Sequence, residues 1–222
     1  YTESEFCSQN IRTAPIPEYT LSYMNNQVLR QQDSINSGGE NFGKATNVNL
    51  GAGNSGQWDS LPNGDRLWRL KISSIGALGL QIFFDQFSLK EDAELFIYNA
   101  DRSMTIGAFT MKNNRPSGLF STQPVQGQSI TLELYEPSDG SSESTIHINL
   151  VGHSFKDIFT PLSLPCNINV ACPQANGWGD QIRSVVKLIT IKEDNFTGGC
   201  SGAMINNSAN NGVPYMLTAF HC

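Results

Sequence analysis

The amino-acid sequence predicts an all-β protein built around an antiparallel β-sandwich. Three observations predict this fold class. Only 15% of the 222 residues are charged, 20 are glycine, and no long Lys/Glu-rich helical face occurs. From Trp58 onwards, short apolar runs recur at intervals of roughly 10 to 15 residues, with turn-forming residues between them. Within several of these runs apolar and polar residues alternate, as in a strand with one buried face.

The first part of the chain, residues 1–55, is predicted to be a loosely structured lead-in. It has few apolar clusters and many turn formers, such as Ser37-Gly38-Gly39. One modest helix is expected around residues 22–32, although the spacing of its apolar residues is poor.

Residues 56–153 are predicted to form the sandwich. The clearest strand lies around Trp68, Leu70 and Ile72, which share one face at a spacing of two. Further strands are expected at residues 80–84, 94–98, 106–110, 130–135 and 146–150. At least six strands without a convincing helix imply two packed antiparallel sheets.

The strand pattern breaks after Val151, and we place a linker at residues 154–165. A cysteine-rich tail follows at residues 166–222. Its expected strands are residues 181–192, 199–205 and 214–218, with an Asn-rich turn before the last one.

Charge and hydropathy exclude two classes of partner. The chain has 14 Lys and Arg against 20 Asp and Glu, a formal net charge of -6, and no basic run that could neutralise successive phosphates, so nucleic acid is not expected. No apolar stretch approaches the ~20 residues that cross a bilayer, so no membrane partner is expected. Low charge content and abundant Gly, Ser and Asn favour a secreted protein, extracellular or periplasmic.

The five cysteines support export and mark a boundary. They are Cys7, Cys166, Cys172, Cys200 and Cys222. An odd number cannot all pair within one chain, so at least one thiol is free or has a partner outside this sequence.

The last 25 residues carry the informative motifs. They contain Gly199-Cys200-Ser201-Gly202 and, after a turn, Thr218-Ala219-Phe220-His221-Cys222. This pattern resembles the first cysteine strand and the Thr/Ser-Ala-x-His-Cys motif of the trypsin-like serine proteases of the chymotrypsin fold. The resemblance implies that His221 is the catalytic general base and that Cys200 and Cys222 form a disulfide. Phe220 departs from the family pattern, which usually has a small alanine there.

The start of the tail extends the resemblance. Residues 166–173, followed by residues 181–185, are similar to the beginning of the mature domain of bacterial lysyl endopeptidases, and residues 68–150 look like the β-rich pro-domain of such proteases. The resemblance implies that residues 166–222 are an incomplete N-terminal portion of a trypsin-like protease domain, holding the first strands of its β-barrel. It also implies protein or peptide substrates, a preference for Lys, no cofactor or metal, and a pro-domain that packs on the protease domain.

Chemistry supports His221 independently of the family. A serine hydroxyl needs a base whose pKa lies near the working pH, and histidine has an ordinary pKa of about 6.5. A disulfide on the adjacent residue would hold that base, contributing roughly 3 kcal/mol by the chain-entropy model.

The sequence therefore predicts the N-terminal part of a secreted serine endopeptidase zymogen. The orienting Asp and the nucleophilic Ser would follow the His motif, so this portion alone should be inactive. Activation cleavage is expected in the linker, with Lys156 as a candidate scissile residue.

Several alternatives stay open at this stage. The chain could be a secreted β-sandwich binding module for a polysaccharide or a protein, with a structural disulfide-rich tail. Cys200, His221 and Cys222 could bind a metal, although their spacing fits no common motif. Residues 198–202 superficially resemble a nucleophile elbow, but they are expected to be strand. His147 and His153 are expected to be solvent-exposed.

Overall fold

The computed structural model describes residues 15–138, 143–160, 170 and 172–222. The elements before residue 160 are β1 (Glu18–Thr20), α1 (Asn26–Ser37), β2 (Asn41–Gly51), β3 (Gln57–Ser60), β4 (Arg66–Ser73), β5 (Gly79–Ser88), β6 (Glu94–Asn99), β7 (Thr105–Phe109), β8 (Phe120–Ser121), β9 (Val125–Gln126), β10 (Ser129–Glu136) and β11 (Thr145–Ser154). The later elements are α2 (Gly179–Ser184), β12 (Val185–Ile191), β13 (Phe196–Ile205) and β14 (Tyr215–Thr218). Two single 3₁₀ turns lie at Met111–Asn113 and Pro173–Ala175.

The strands form two sheets, which confirms the predicted all-β class. The first sheet has the order β1-β4-β10-β6-β7, with β3 also paired to β4. The second has the order β12-β13-β2-β11-β5-β8, with β14 paired to β13 and β9 to β5. Among the described strands, β1 and β4 run parallel and the other pairs are antiparallel.

The two sheets pack face to face around one apolar core. Trp68 and Ile72 of β4 are fully buried, as the alternation predicts, and so are Leu132 of β10 and Ile82 of β5. Residues of both sheets join a single buried cluster. We call the unit formed by residues 15–156 the sandwich, because such a layered core is how two one-sided sheets bury their apolar faces.

The structure differs from the expected loose lead-in at β2, which lies inside the second sheet. Strand β2 pairs with β11 on one edge and with β13 on the other. Its sequence is largely polar, so the alternation signal is weak there. Backbone pairing on both edges adds to the burial of Phe42, Ala45 and Leu50 in stabilising this strand. The domain boundaries themselves stay a prediction.

Helix α1 begins later than residue 22 because its N-cap is Asn25. The Asn25 Oδ1 accepts hydrogen bonds from the backbone N–H groups of Gln27 at 2.9 Å and Val28 at 3.3 Å. The helix ends at Gly38, whose φ of 64° is the left-handed conformation that glycine adopts without strain. These two caps fix the helix four to five residues further along than the apolar spacing indicates.

The end of β11 also differs from the sequence interpretation. His153, expected in an exposed turn, lies within β11 and is fully buried. Phe155 is fully buried, and the backbone N–H groups of Phe155 and Lys156 both donate to the Phe42 carbonyl. Ordered structure therefore continues into the predicted linker, because the edge of β2 pairs with these residues.

After residue 172 the chain forms an open, three-stranded part of the second sheet. We call residues 172–222 the tail segment. Its first predicted strand is shorter than expected, since residues 179–184 form α2 and β12 starts only at Val185. Strands β12, β13 and β14 form no closed barrel within the described residues, and β13 joins them to β2. No helix in the described ranges is long and apolar enough to cross a membrane.

Candidate active site

His221 lies directly after β14, at the end of a hairpin with β13. The hairpin register pairs Thr218 with Gly202, and the Thr218 hydroxyl donates to the Ser201 carbonyl at 2.9 Å. The chain then turns, with the Cys222 N–H donating to the Ala219 carbonyl at 3.0 Å. The alternation of β14 and this tight turn place the imidazole beside β13.

A disulfide between Cys200 and Cys222 anchors this turn to the middle of β13, as predicted. The two Cα atoms are 6.1 Å apart, and the bond spans a sequence separation of 22 residues. A ring nitrogen of His221 and the two sulfur atoms lie within 4.8 Å of one another. The covalent bond therefore fixes the backbone of the residue next to the imidazole, which limits where the ring can move.

The imidazole is open to solvent. His221 and Phe220 are both exposed, and the Phe220 ring makes no buried contact at the position where the resembling family has alanine. Within the described residues no carboxylate or hydroxyl is hydrogen-bonded to His221. The histidine is thus held at its backbone and free at its ring, where a substrate or a further catalytic group could reach it.

The metal interpretation does not fit this chemistry. Cys200, His221 and Cys222 do cluster closely enough to share an ion. However, zinc binds thiolate sulfur, and both sulfur atoms are consumed by the disulfide. One imidazole alone remains, which is too few ligands for a structural or catalytic zinc site.

The elbow-like residues 198–202 lie within β13, as expected. They pair with β12 along this stretch, so Ser201 occupies a regular strand position rather than a strand-turn-helix corner. The Ser201 carbonyl accepts the Thr218 bond described above, which ties its backbone into the hairpin.

The other two histidines are engaged inside the sandwich. His147 is half-exposed; its Nδ1 lies 2.5 Å from Asp85 Oδ1 and its Nε2 lies 2.8 Å from Asn49 Oδ1. Both ring nitrogens are therefore occupied, and neither is available to a substrate. Alternation alone places His147 on the polar face but does not reveal its Asp85 partner, because that pairing depends on the register between β11 and β5.

His153 forms a buried polar network that no motif or alternation in the sequence indicates. Its Nδ1 lies 2.7 Å from Ser74 Oγ and its Nε2 lies 2.7 Å from Asn26 Oδ1. Since Asn26 Nδ2 donates to the Gly76 carbonyl at 2.8 Å, its Oδ1 must accept, so the proton sits on Nε2. Burial lowers the pKa of His153 from its ordinary 6.5 to about 4. This imidazole stays neutral and structural.

The geometry thus defines an all-β protein with an accessible, disulfide-anchored histidine at the end of a hairpin. The comparison with protein families agrees with this class. Residues 161–222, the stretch that contains the disulfide and His221, match the family model described as lysyl endopeptidase, C-terminal domain. No solved structure matches the chain. Residues 161–222 are therefore similar to the lysyl endopeptidase C-terminal domain, and this similarity suggests a protease-related function.

Proposed function

We propose that this chain is part of the precursor of a secreted, trypsin-like serine endopeptidase, with His221 as its general base. The observation that carries the proposal is the disulfide-anchored imidazole within the stretch that matches the lysyl endopeptidase family. In the proposed reaction, neutral His221 takes the proton from a serine hydroxyl as that oxygen attacks the substrate carbonyl. The protonated ring then gives the proton to the leaving amine.

Exposed apolar side chains on the tail segment support a larger protease domain. Met204, Tyr215, Met216 and Leu217 are all exposed on β13 and β14. Water-exposed apolar residues on neighbouring strands are typical of a surface that another part of the structure covers. We propose that further barrel strands cover them, and that these strands supply the Asp and the Ser of a triad, as in the family that the tail resembles.

The sandwich has the role of a pro-domain in this proposal. It encloses its own core and contributes no residue to the surroundings of His221 among the described residues. Preference for Lys rests on the resemblance and on the matched family.

The first test is the coding sequence downstream of Cys222. The proposal expects the reading frame to continue with an Asp and then a Gly-Asp-Ser-Gly-like segment. A stop codon directly after Cys222 would instead favour the binding module.

The second test is the peptidase activity of the complete gene product on peptides with Lys, Arg or Leu before the scissile bond. His221→Gln should lower kcat by a factor on the order of 10⁴ or more, because a triad without its base loses most of its rate. His147→Gln is the matched control and should leave kcat unchanged. Equal kcat values for the two variants would reject His221 as the base.

A further inference from the structure

The tail segment is buried only where it meets the sandwich. Among residues 172–222 the buried positions are Phe196, Thr197 and Gly198, the first three residues of β13. These same residues pair with Lys44, Gly43 and Asn41 of β2. The rest of β13, together with β12 and β14, is partly or fully exposed. The start of β13 therefore behaves as an added strand on the sandwich rather than as part of a separate core.

Apolar contacts fix the first of these residues. Phe196 is 4% exposed and packs in a small cluster with Leu29 and Phe155. Its ring lies edge-on to Phe155 at 6.0 Å between centroids, and the Lys44 ammonium lies 4.3 Å from the ring centroid. A ring enclosed by three different elements of the sandwich is an anchor of the kind that dominates docking surfaces.

Backbone contacts on either side of Phe196 extend this contact surface. We call the surface the seat: it consists of residues 194–198 of the tail segment and the sandwich residues that they contact, Leu29, Asn41, Gly43, Lys44, Ala45 and Phe155. The Ala45 N–H donates to the Asn195 carbonyl at 2.8 Å, and Lys44 Nζ donates to the Asp194 carbonyl. Next to them, Gly43 leaves room for Thr197. A Cβ at position 43 would lie 2.4 Å from Thr197 Oγ1 and 3.2 Å from the His153 carbonyl oxygen. The glycine is thus required for β13 to approach β2 so closely.

Helix α1 holds the sandwich side of this seat in place. Arg30 donates to the Phe155 carbonyl through Nε at 3.0 Å and through Nη2 at 2.8 Å. One turn later, the fully buried Asp33 accepts from Lys156 Nζ at 2.6 Å and from Asn41 Nδ2 at 2.8 Å. Lys156 also donates to the Gly39 carbonyl at 2.5 Å. These contacts bind residues 155 and 156 to the helix, so they do not depend on the chain that follows.

The described connecting residues, 157–160, 170 and 172–184, therefore contribute to neither side of the seat. Every sandwich residue of the seat lies before residue 157, and every tail residue lies after residue 190. We propose that the sandwich and the tail segment stay bound to each other after the connection is cut, through addition of β13 to the edge of β2 with Phe196 as the anchor. The partner of this surface is thus an extended Phe-Thr-Gly strand of the same protein. The inference rests on the proposed function, since a precursor is what would be cut there.

The test is to cut the connection and measure association. A recognition sequence for a site-specific protease is inserted after Gly177, where a Cβ atom would have no neighbour within 4 Å. After complete cleavage, the two parts are passed over a size-exclusion column at low micromolar concentration. Co-elution as one species is expected. Separate elution of the unsubstituted parts would overturn the inference.

Matched variants assign the association to the seat. Phe196→Ala should weaken binding of the two parts at least tenfold, whereas Phe220→Ala, the same change at a fully exposed site of the same segment, should leave binding unchanged. Equal affinities for these two variants would contradict the anchor.

A second pair of variants tests the seat independently, in case Phe196→Ala misfolds. Gly43→Ala should reduce co-elution, and adding Thr197→Ala should restore it at least in part, because that change removes Thr197 Oγ1, the closer of the two oxygen atoms that the new Cβ approaches. No restoration would contradict the seat. The readout involves no peptidase activity, so an active enzyme whose parts separate rejects only this inference, and an inactive protein whose parts stay bound rejects only the proposed function.

Discussion

The sandwich and the tail segment obtain their order in different ways. The sandwich buries large side chains from both sheets, such as Trp68 and Leu132, in a core that it completes itself. The tail segment carries the candidate chemistry, yet its buried residues are those that lie on β2. The disulfide and the hairpin therefore position His221 locally, whereas the sandwich provides the surface against which the tail segment packs.

The largest expected difference between the two regions is the effect of removing an apolar side chain. Leu132 is 0% exposed, and Leu132→Ala should lower the free energy of unfolding by about 2 to 5 kcal/mol through lost transfer energy and a cavity. Leu217 is 62% exposed, and in the 222-residue chain by itself, without the further strands proposed to cover β14, Leu217→Ala should change the free energy of unfolding by less than about 0.5 kcal/mol.

Urea unfolding followed by tryptophan fluorescence measures both changes. Similar losses for the two variants would mean that the exposed face of β14 is buried in solution, and the comparison between the regions would fail.

A smaller effect on stability is expected from protonation of the buried His153. The pKa of His153 is about 4 in the folded state and 6.5 in the unfolded state, so the unfolded state binds more protons between these values. The stability from this group is complete above pH 6.5 and is lost as the pH falls towards 4. Lowering the pH from 7.5 to 5 should therefore reduce the free energy of unfolding by about 2 kcal/mol.

Unfolding free energies at several pH values, compared between the unsubstituted chain and His153→Gln, test this. His153→Gln should flatten the pH dependence by that amount. An unchanged slope in His153→Gln would show that the buried network tolerates a proton.

The strands that the sequence predicts well are those with one apolar and one polar face. Trp68, Leu70 and Ile72 show why: each is buried, and the period-2 pattern records that burial directly. The disulfide between Cys200 and Cys222 agrees with the pairing that the resemblance to trypsin-like proteases implies.

Other features depend on partners that are distant in sequence. Strand β2 has a weak alternation pattern, and its pairing partners, β11 and β13, both lie much later in the chain. The burial of His153 depends likewise on Asn26 and Ser74. No local sequence pattern indicates the contacts of Phe196 with the sandwich or the ion pair between Lys156 and Asp33. Such contacts follow from tertiary register, which no single segment encodes.

Hydrogen exchange along the whole chain tests most directly whether contact with the sandwich is what orders the tail segment. We expect slow exchange for the backbone amides of β4, β10 and β11, because their opening requires unfolding of the core. In the tail segment, peptides covering residues 196–198 should exchange markedly more slowly than peptides covering β14. Uniform slow exchange through residues 185–222, or fast exchange at residues 196–198, would contradict this account.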